Sequence, residues 1–198
     1  MVKHWVLIAA VASLWAGTVQ ATPILYNAIL SGAAESPPNA SPGSGTASVA
    51  YDPLAHTLAV DAAFADLLGT TTAAHIHCCT ATAGTGTAGV ATPTPSFPLF
   101  PLGVTSGSFS ELFDLTDTAS FNAAFVTANG GTAAGAEAAL AAGLASGAAY
   151  FNIHTSVVPG GEIRGFLTPS SVPEPATLSL LGLGLGVLVA AGRKRPAC

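Results

Sequence analysis

The sequence predicts a mainly β domain, a β-sandwich with a short Ala-rich helical insertion, flanked by an export segment at each end. Three observations carry this expectation. Short apolar segments alternate with polar residues at period two, the spacing of a strand with one buried face. The links between them are rich in turn formers, with 22 Gly and 14 Pro in 198 residues. Both chain ends carry apolar runs beside basic residues, and such segments are set apart from fold reasoning.

At the N-terminus, Lys3 opens a short polar start and residues 5–15 (WVLIAAVASLW) form an apolar run. Val19-Gln20-Ala21 then places small residues three and one before Thr22. This is the anatomy of a secretory signal peptide covering 1–21. An uncleaved anchor is the alternative, but the run is short for a membrane span.

The domain at 22–171 reads in order as follows. Residues 24–31 form a strand, and 36–44 (SPPNASPGS) a loop. Residues 45–51 and 57–66 form a hairpin around Asp52-Pro53. Leu58, Val60, Ala62 and Phe64 mark the buried face of its second strand. His56, just after that turn, reads as an exposed residue. Residues 73–78 form a strand, 80–101 a long Gly/Thr/Pro loop, and 106–115 a further strand. Residues 120–128 and 133–144 read as short helices by their Ala, Glu and Leu content, although Gly130, Gly131, Gly135 and Gly143 oppose this. Residues 148–155 and 162–168 close the domain as a hairpin around Pro159-Gly160-Gly161. Several short strands with turn-rich links suggest the sandwich.

Charge narrows the partners. Between Thr22 and Val172 there are nine carboxylates and one base, Arg164. Such a surface repels phosphate backbones, so no nucleic-acid partner is expected. It suits cations, or simply keeps a secreted domain soluble.

The C-terminus at 172–198 contains Pro173-Glu174-Pro175, an apolar stretch of roughly 17 residues at the lower limit for a transmembrane helix, and then Arg193-Lys194-Arg195. The basic cluster would stay cytoplasmic. These features in this order resemble a PEP-CTERM sorting signal. The resemblance implies an exosortase-like processing partner and a precursor held at the membrane by its C-terminal helix. The mature protein would then pass to the cell envelope or extracellular matrix, where exopolysaccharide and surface proteins are the candidate partners.

Three segments carry a second resemblance: Ala74-His75-Ile76-His77, Ala149-Tyr150-Phe151-Asn152-Ile153-His154-Thr155, and Pro159-Gly160-Gly161-Glu162-Ile163-Arg164-Gly165. Together they resemble the CHRD domain, the chordin-type module, over roughly residues 24–167. The resemblance implies an immunoglobulin-like sandwich and a non-catalytic extracellular binding or structural module.

The residues can also be read by strand geometry alone. Side chains two apart share a face. His75 and His77 therefore point together, as do Tyr150, Asn152 and His154. Ile76, Phe151, Ile153 and Ile163 point the other way, into the core. The histidines and a Glu162/Arg164 pair are then expected outward or at a rim, with Gly160 and Gly161 making the turn.

His75, His77 and His154 form a candidate metal set for copper or zinc, both suited to imidazole. The alternative is that all three are structural and hydrogen-bond nearby loops. The set also bears a weak similarity to copper/zinc superoxide dismutases, which supplies a second sandwich template. The additional zinc-binding His/Asp cluster is missing, and Cys78-Cys79 replaces the expected continuation, so dismutase activity is not expected. A metal-dependent redox role is the enzymatic alternative, because no phosphate loop or Gly-x-Ser-x-Gly turn is present.

Cys198 lies in the sorting tail, which leaves Cys78 and Cys79 in the exported domain. A vicinal disulfide leads the readings, since export favours oxidation. An intermolecular bridge, thiolate ligation beside the histidines, and a buried free pair are the others.

Overall fold

The computed structural model describes residues 22–170. The signal peptide expected at 1–21 and the sorting tail at 172–198 lie outside the described residues. No helix among the described residues is long and apolar enough to cross a membrane.

Among the described residues eight strands and two α-helices follow one another: β1 (Ile24–Ser31), β2 (Ser44–Asp52), β3 (Thr57–Ala65), β4 (Thr71–His77), β5 (Gly107–Asp114), α1 (Ala123–Ala128), α2 (Ala133–Ala145), β6 (Tyr150–Thr155), β7 (Ile163–Phe166) and β8 (Thr168–Pro169). All strand pairings are antiparallel. The strands form one curled sheet in the order β4-β6-β7-β1-β2-β3-β5, with β8 also pairing with β1. The mainly β expectation holds, but the hydrogen-bonded unit is one sheet bent around its core.

The alternation read from the sequence is what fills that core. Tyr26, Ala28 and Leu30 of β1, Ala47 and Val49 of β2, and Leu58, Val60, Ala62 and Phe64 of β3 are all buried. The β2–β3 turn is fixed locally, because Asp52 accepts hydrogen bonds from the backbone N–H groups of Leu54 (2.9 Å) and Ala55 (3.0 Å). His56 follows with φ of 53°. It is exposed, as expected, and its Nδ1 also lies 2.9 Å from Glu137 Oε2. Glu137 is buried on α2 and also accepts from Tyr51 Oη at 2.9 Å. The hairpin and the helix are thereby tied together.

The helical insertion forms despite its glycines. Asn122 caps α1 and Thr132 caps α2 through their side-chain oxygens. Gly130 and Gly131 take positive φ in the link between the two helices. Gly143 has a packing reason: a Cβ there would collide with Sγ of both Cys78 and Cys79.

The ends of the sheet are closed by the segment between β4 and β5. Thr71 N–H donates to Val104 O (2.8 Å), and Leu67 N–H donates to Thr105 O (3.1 Å). Phe97 from this segment stacks on Phe151 of β6 (5.8 Å) and Phe109 of β5 (5.4 Å). It also lies 5.3 Å from Phe113. The same segment zips along the free edge of β4. Ala91 N–H donates to Ile76 O (2.9 Å), Phe97 N–H donates to Ala74 O (3.1 Å), and Ile76 N–H donates to Thr92 Oγ1 (2.9 Å).

Phe97 thus contacts both ends of the sheet, so Phe97→Ala should cost about 3–5 kcal/mol. Denaturant unfolding followed by circular dichroism measures this. A loss below about 1 kcal/mol would show that the curl is held elsewhere.

Candidate metal centre

β4 and β6 lie side by side with His75 opposite Asn152 and His77 opposite Tyr150. His154 is diagonal to His75, opposite Ala73. Period-two geometry therefore puts the three histidines on one face, as the sequence predicted. The expectation that this face lies outward is corrected. His75 and His77 are buried, His154 is partly buried, and Glu162 and Arg164 are buried as well. Both faces of these strands are covered: apolar side chains fill one, and loops roof the other.

The roof fixes the imidazoles. His75 Nε2 donates to Pro95 O (2.7 Å), His77 Nδ1 to Ala88 O (2.9 Å), and His154 Nδ1 to Pro159 O (2.9 Å). A backbone carbonyl only accepts, so each bonded nitrogen carries the hydrogen and the other keeps a bare lone pair. Those other nitrogens, His75 Nδ1, His77 Nε2 and His154 Nε2, are buried without a hydrogen-bond partner. Each histidine offers one ring nitrogen to a group in which all three lie within 4.8 Å of one another. Nitrogens bound at 2.0–2.1 Å to one ion stand roughly 3.3–3.6 Å apart, so small side-chain rotations bring them to an ion. Metal-binding histidines usually donate their second N–H in this way.

The protonation state agrees. Burial lowers His75 and His77 to about 4, against the gain from their carbonyl hydrogen bonds. Burial also lowers His154. The three rings are therefore neutral at pH 7, and no proton competes for their lone pairs.

Glu162 and Arg164 do not pair with each other. Glu162 joins three segments: it accepts from Ser41 Oγ (2.6 Å), Leu68 N–H (2.6 Å), Gly69 N–H (3.2 Å) and Thr155 Oγ1 (2.6 Å). Burial pushes its carboxyl up, but these bonds outweigh burial and hold it below the usual range. Arg164 instead donates through Nε to Ala34 O (2.6 Å) and through Nη1 to Gly86 O (3.0 Å). Its carboxylate neighbour is Glu35, at 3.6 Å. The guanidinium lies 4.8 Å over the Tyr150 ring, which itself stacks on His77 at 4.8 Å. Burial pushes Glu35 up to about 7, with Arg164 pulling it back down.

Gly160 meets open space, whereas Gly161 has φ of 129° and a Cβ there would lie 2.7 Å from Glu35 Oε1. The turn therefore needs glycine at 161. Glu35, Ser41 and the three roofing carbonyls were not legible as site residues. They come from segments distant in sequence and carry no motif.

Cys78 and Cys79 are joined as a disulfide. Their sulfurs face α2 at Gly143 and stand outside the histidine group.

Residues 26–167 match the CHRD domain family, and residues 171–195 match the PEP-CTERM protein-sorting motif. The second match contains Pro173, Glu174, Pro175, Arg193, Lys194 and Arg195. It implies export to the cell envelope through an exosortase-type system. No curated protein and no solved structure matches the chain.

Two predictions follow from the buried charges. Unfolded histidines take up protons near 6.5, whereas folded His75 and His77 resist to about 4. The metal-free protein therefore loses stability as pH falls from about 6.5 to 4. Glu35 acts oppositely, since its folded value of about 7 exceeds the ordinary 4.5 and its stability contribution fades as pH rises across that interval. Two histidine shifts of similar size outweigh the one from Glu35. The Tm in chelator is expected to be lower at pH 4.5 than at pH 7, less so in His77→Gln. A flat or rising Tm on acidification contradicts this. Glu162→Ala strands four donors and should cost about 3 kcal/mol or more, read as a shift in the urea midpoint. A midpoint within error of the parent refutes the bridging role.

Proposed function

Because the chain belongs to the CHRD domain family and ends in a PEP-CTERM sorting motif, we propose that it is an exosortase-sorted envelope or matrix protein whose domain holds one copper or zinc ion between His75, His77 and His154. One observation carries the metal: three buried imidazole lone pairs converge without partners, while the opposite nitrogens are held by carbonyls. Leaving such groups unpaired costs about 1–3 kcal/mol each, and a bound cation removes that cost. The residues fit the group: three neutral nitrogen donors with their outer hydrogen bonds in place match what copper and zinc take.

In this reading the module is non-catalytic, and its metal serves binding and structure. The domain supplies the donors, fixes their tautomers and roofs them with the 78–106 segment. When bound, the ion supplies Lewis acidity and, for copper, one-electron chemistry. Dismutase activity forms no part of the proposal.

A second reading, contact with exopolysaccharide, is favoured by a separate groove of about 890 Å³ on β1, β2, β3 and β5. Thr46, Ser48, Ser108 and Ser110 place hydroxyls beside Asp61 in a lining that also includes Ile29, Phe109 and Phe166.

The test is elemental analysis of the full-length chain, exported in a bacterial host and purified without a histidine tag. About one copper or zinc per chain is expected, falling at least tenfold in His75→Ala and in His154→Gln. A folded protein that stays metal-free after exposure to micromolar Cu²⁺ and Zn²⁺ refutes the metal reading.

A further inference from the structure

We propose that the histidine centre selects cuprous copper over zinc. This deepens the metal reading and rests on it.

The first ground is charge. The donor set is three neutral imidazoles, and among the described residues no carboxylate or thiolate belongs to the group. The neighbouring sulfurs are spent in the Cys78–Cys79 disulfide. Nothing in the donor set offsets the charge of a buried ion, and the cost of burying an ion grows with the square of its charge. A singly charged ion therefore suits the centre far better than a doubly charged one.

The second ground is a fixed cation. Arg164 is 4% exposed, and its guanidinium lies over the Tyr150 ring that stacks on His77. Its repulsion scales with the charge of the bound ion. Glu35 offsets part of this field, but from 3.6 Å and on the side of Arg164 Nε.

The third ground is coordination number. Zinc held by three protein ligands requires a fourth ligand, water or substrate. Cuprous copper is satisfied by three donors in a plane. His75 and His77 are buried beneath the carbonyls of Pro95 and Ala88, and a roofed three-nitrogen set fits the lower number.

The experiment uses the full-length chain in detergent. Cu⁺ is titrated anaerobically against a chromophoric cuprous chelator, with ascorbate as reductant because a thiol would attack the disulfide. Zn²⁺ is titrated against a zinc indicator at the same pH. Cu⁺ is expected to bind at least a hundredfold more tightly than Zn²⁺. In Arg164→Gln that ratio should shrink at least tenfold. If that variant does not fold by circular dichroism, Glu35→Gln replaces it, compared with the parent at pH 8 where Glu35 is ionised, and should widen the ratio, because the countercharge is gone. Zinc bound as tightly as Cu⁺, or a ratio indifferent to the folded charge variant, overturns the selection and leaves the metal reading intact. Binding of neither ion overturns both.

Discussion

The constraint on which the rest depends is that β4 and β6 are buried on both faces. One face carries Ile76, Phe151 and Ile153, which any β core accepts. The other carries three imidazoles, a tyrosine and an amide, and polar groups cannot be buried unless each is satisfied. The 78–106 segment exists in this form to meet that demand. It delivers the carbonyls of Ala88 and Pro95 to two rings, and the β6–β7 turn delivers Pro159 O to the third. Every ring is satisfied on one side, and the three remaining nitrogens are buried without a partner, with the ring centroids 5.3–5.8 Å apart.

The supporting charges are arranged around that face and do not enter it. Glu162 clamps the 41–43 loop, the β3–β4 link and β6, which sets where the β6–β7 turn lies. Arg164 clamps Ala34 and Gly86, so the start of the roofing loop is anchored to the end of β1. The disulfide sits one residue beyond His77 and fills the space that Gly143 leaves on α2. Three separate fixings thus surround β4, β6 and β7. That concentration is what pre-organises a site whose donors come from two strands.

Much of this was legible in the sequence. Period two fixed which residues share a face, so the grouping of His75, His77 and His154 could be read directly. The Asp52-Pro53 and Pro159-Gly160-Gly161 turns marked both hairpins, and β1 was placed to the residue. What could not be read was burial. Alternation says which side a residue points to, and the sequence carries no local sign that the 29-residue loop at 78–106 folds back over the polar side. The same gap hid the partners of Glu162 and Arg164. Their proximity in sequence suggested a pair, whereas the folded chain offers Ser41, Leu68, Gly69 and Thr155 to one and Ala34, Gly86 and Glu35 to the other. His56 is exposed, as read, but its partner Glu137 lies on a helix far along the chain and has no local sign in the sequence.

The central claim is that three imidazoles converge on one ion with no sulfur among the donors. X-ray absorption at the metal edge of the copper-loaded protein tests it most directly. The account predicts a first shell of three nitrogens at about 2.0 Å, with the outer-shell pattern of imidazole rings and no sulfur scatterer. A sulfur in the first shell, or fewer than two imidazoles, would contradict it and return His75, His77 and His154 to a purely structural role.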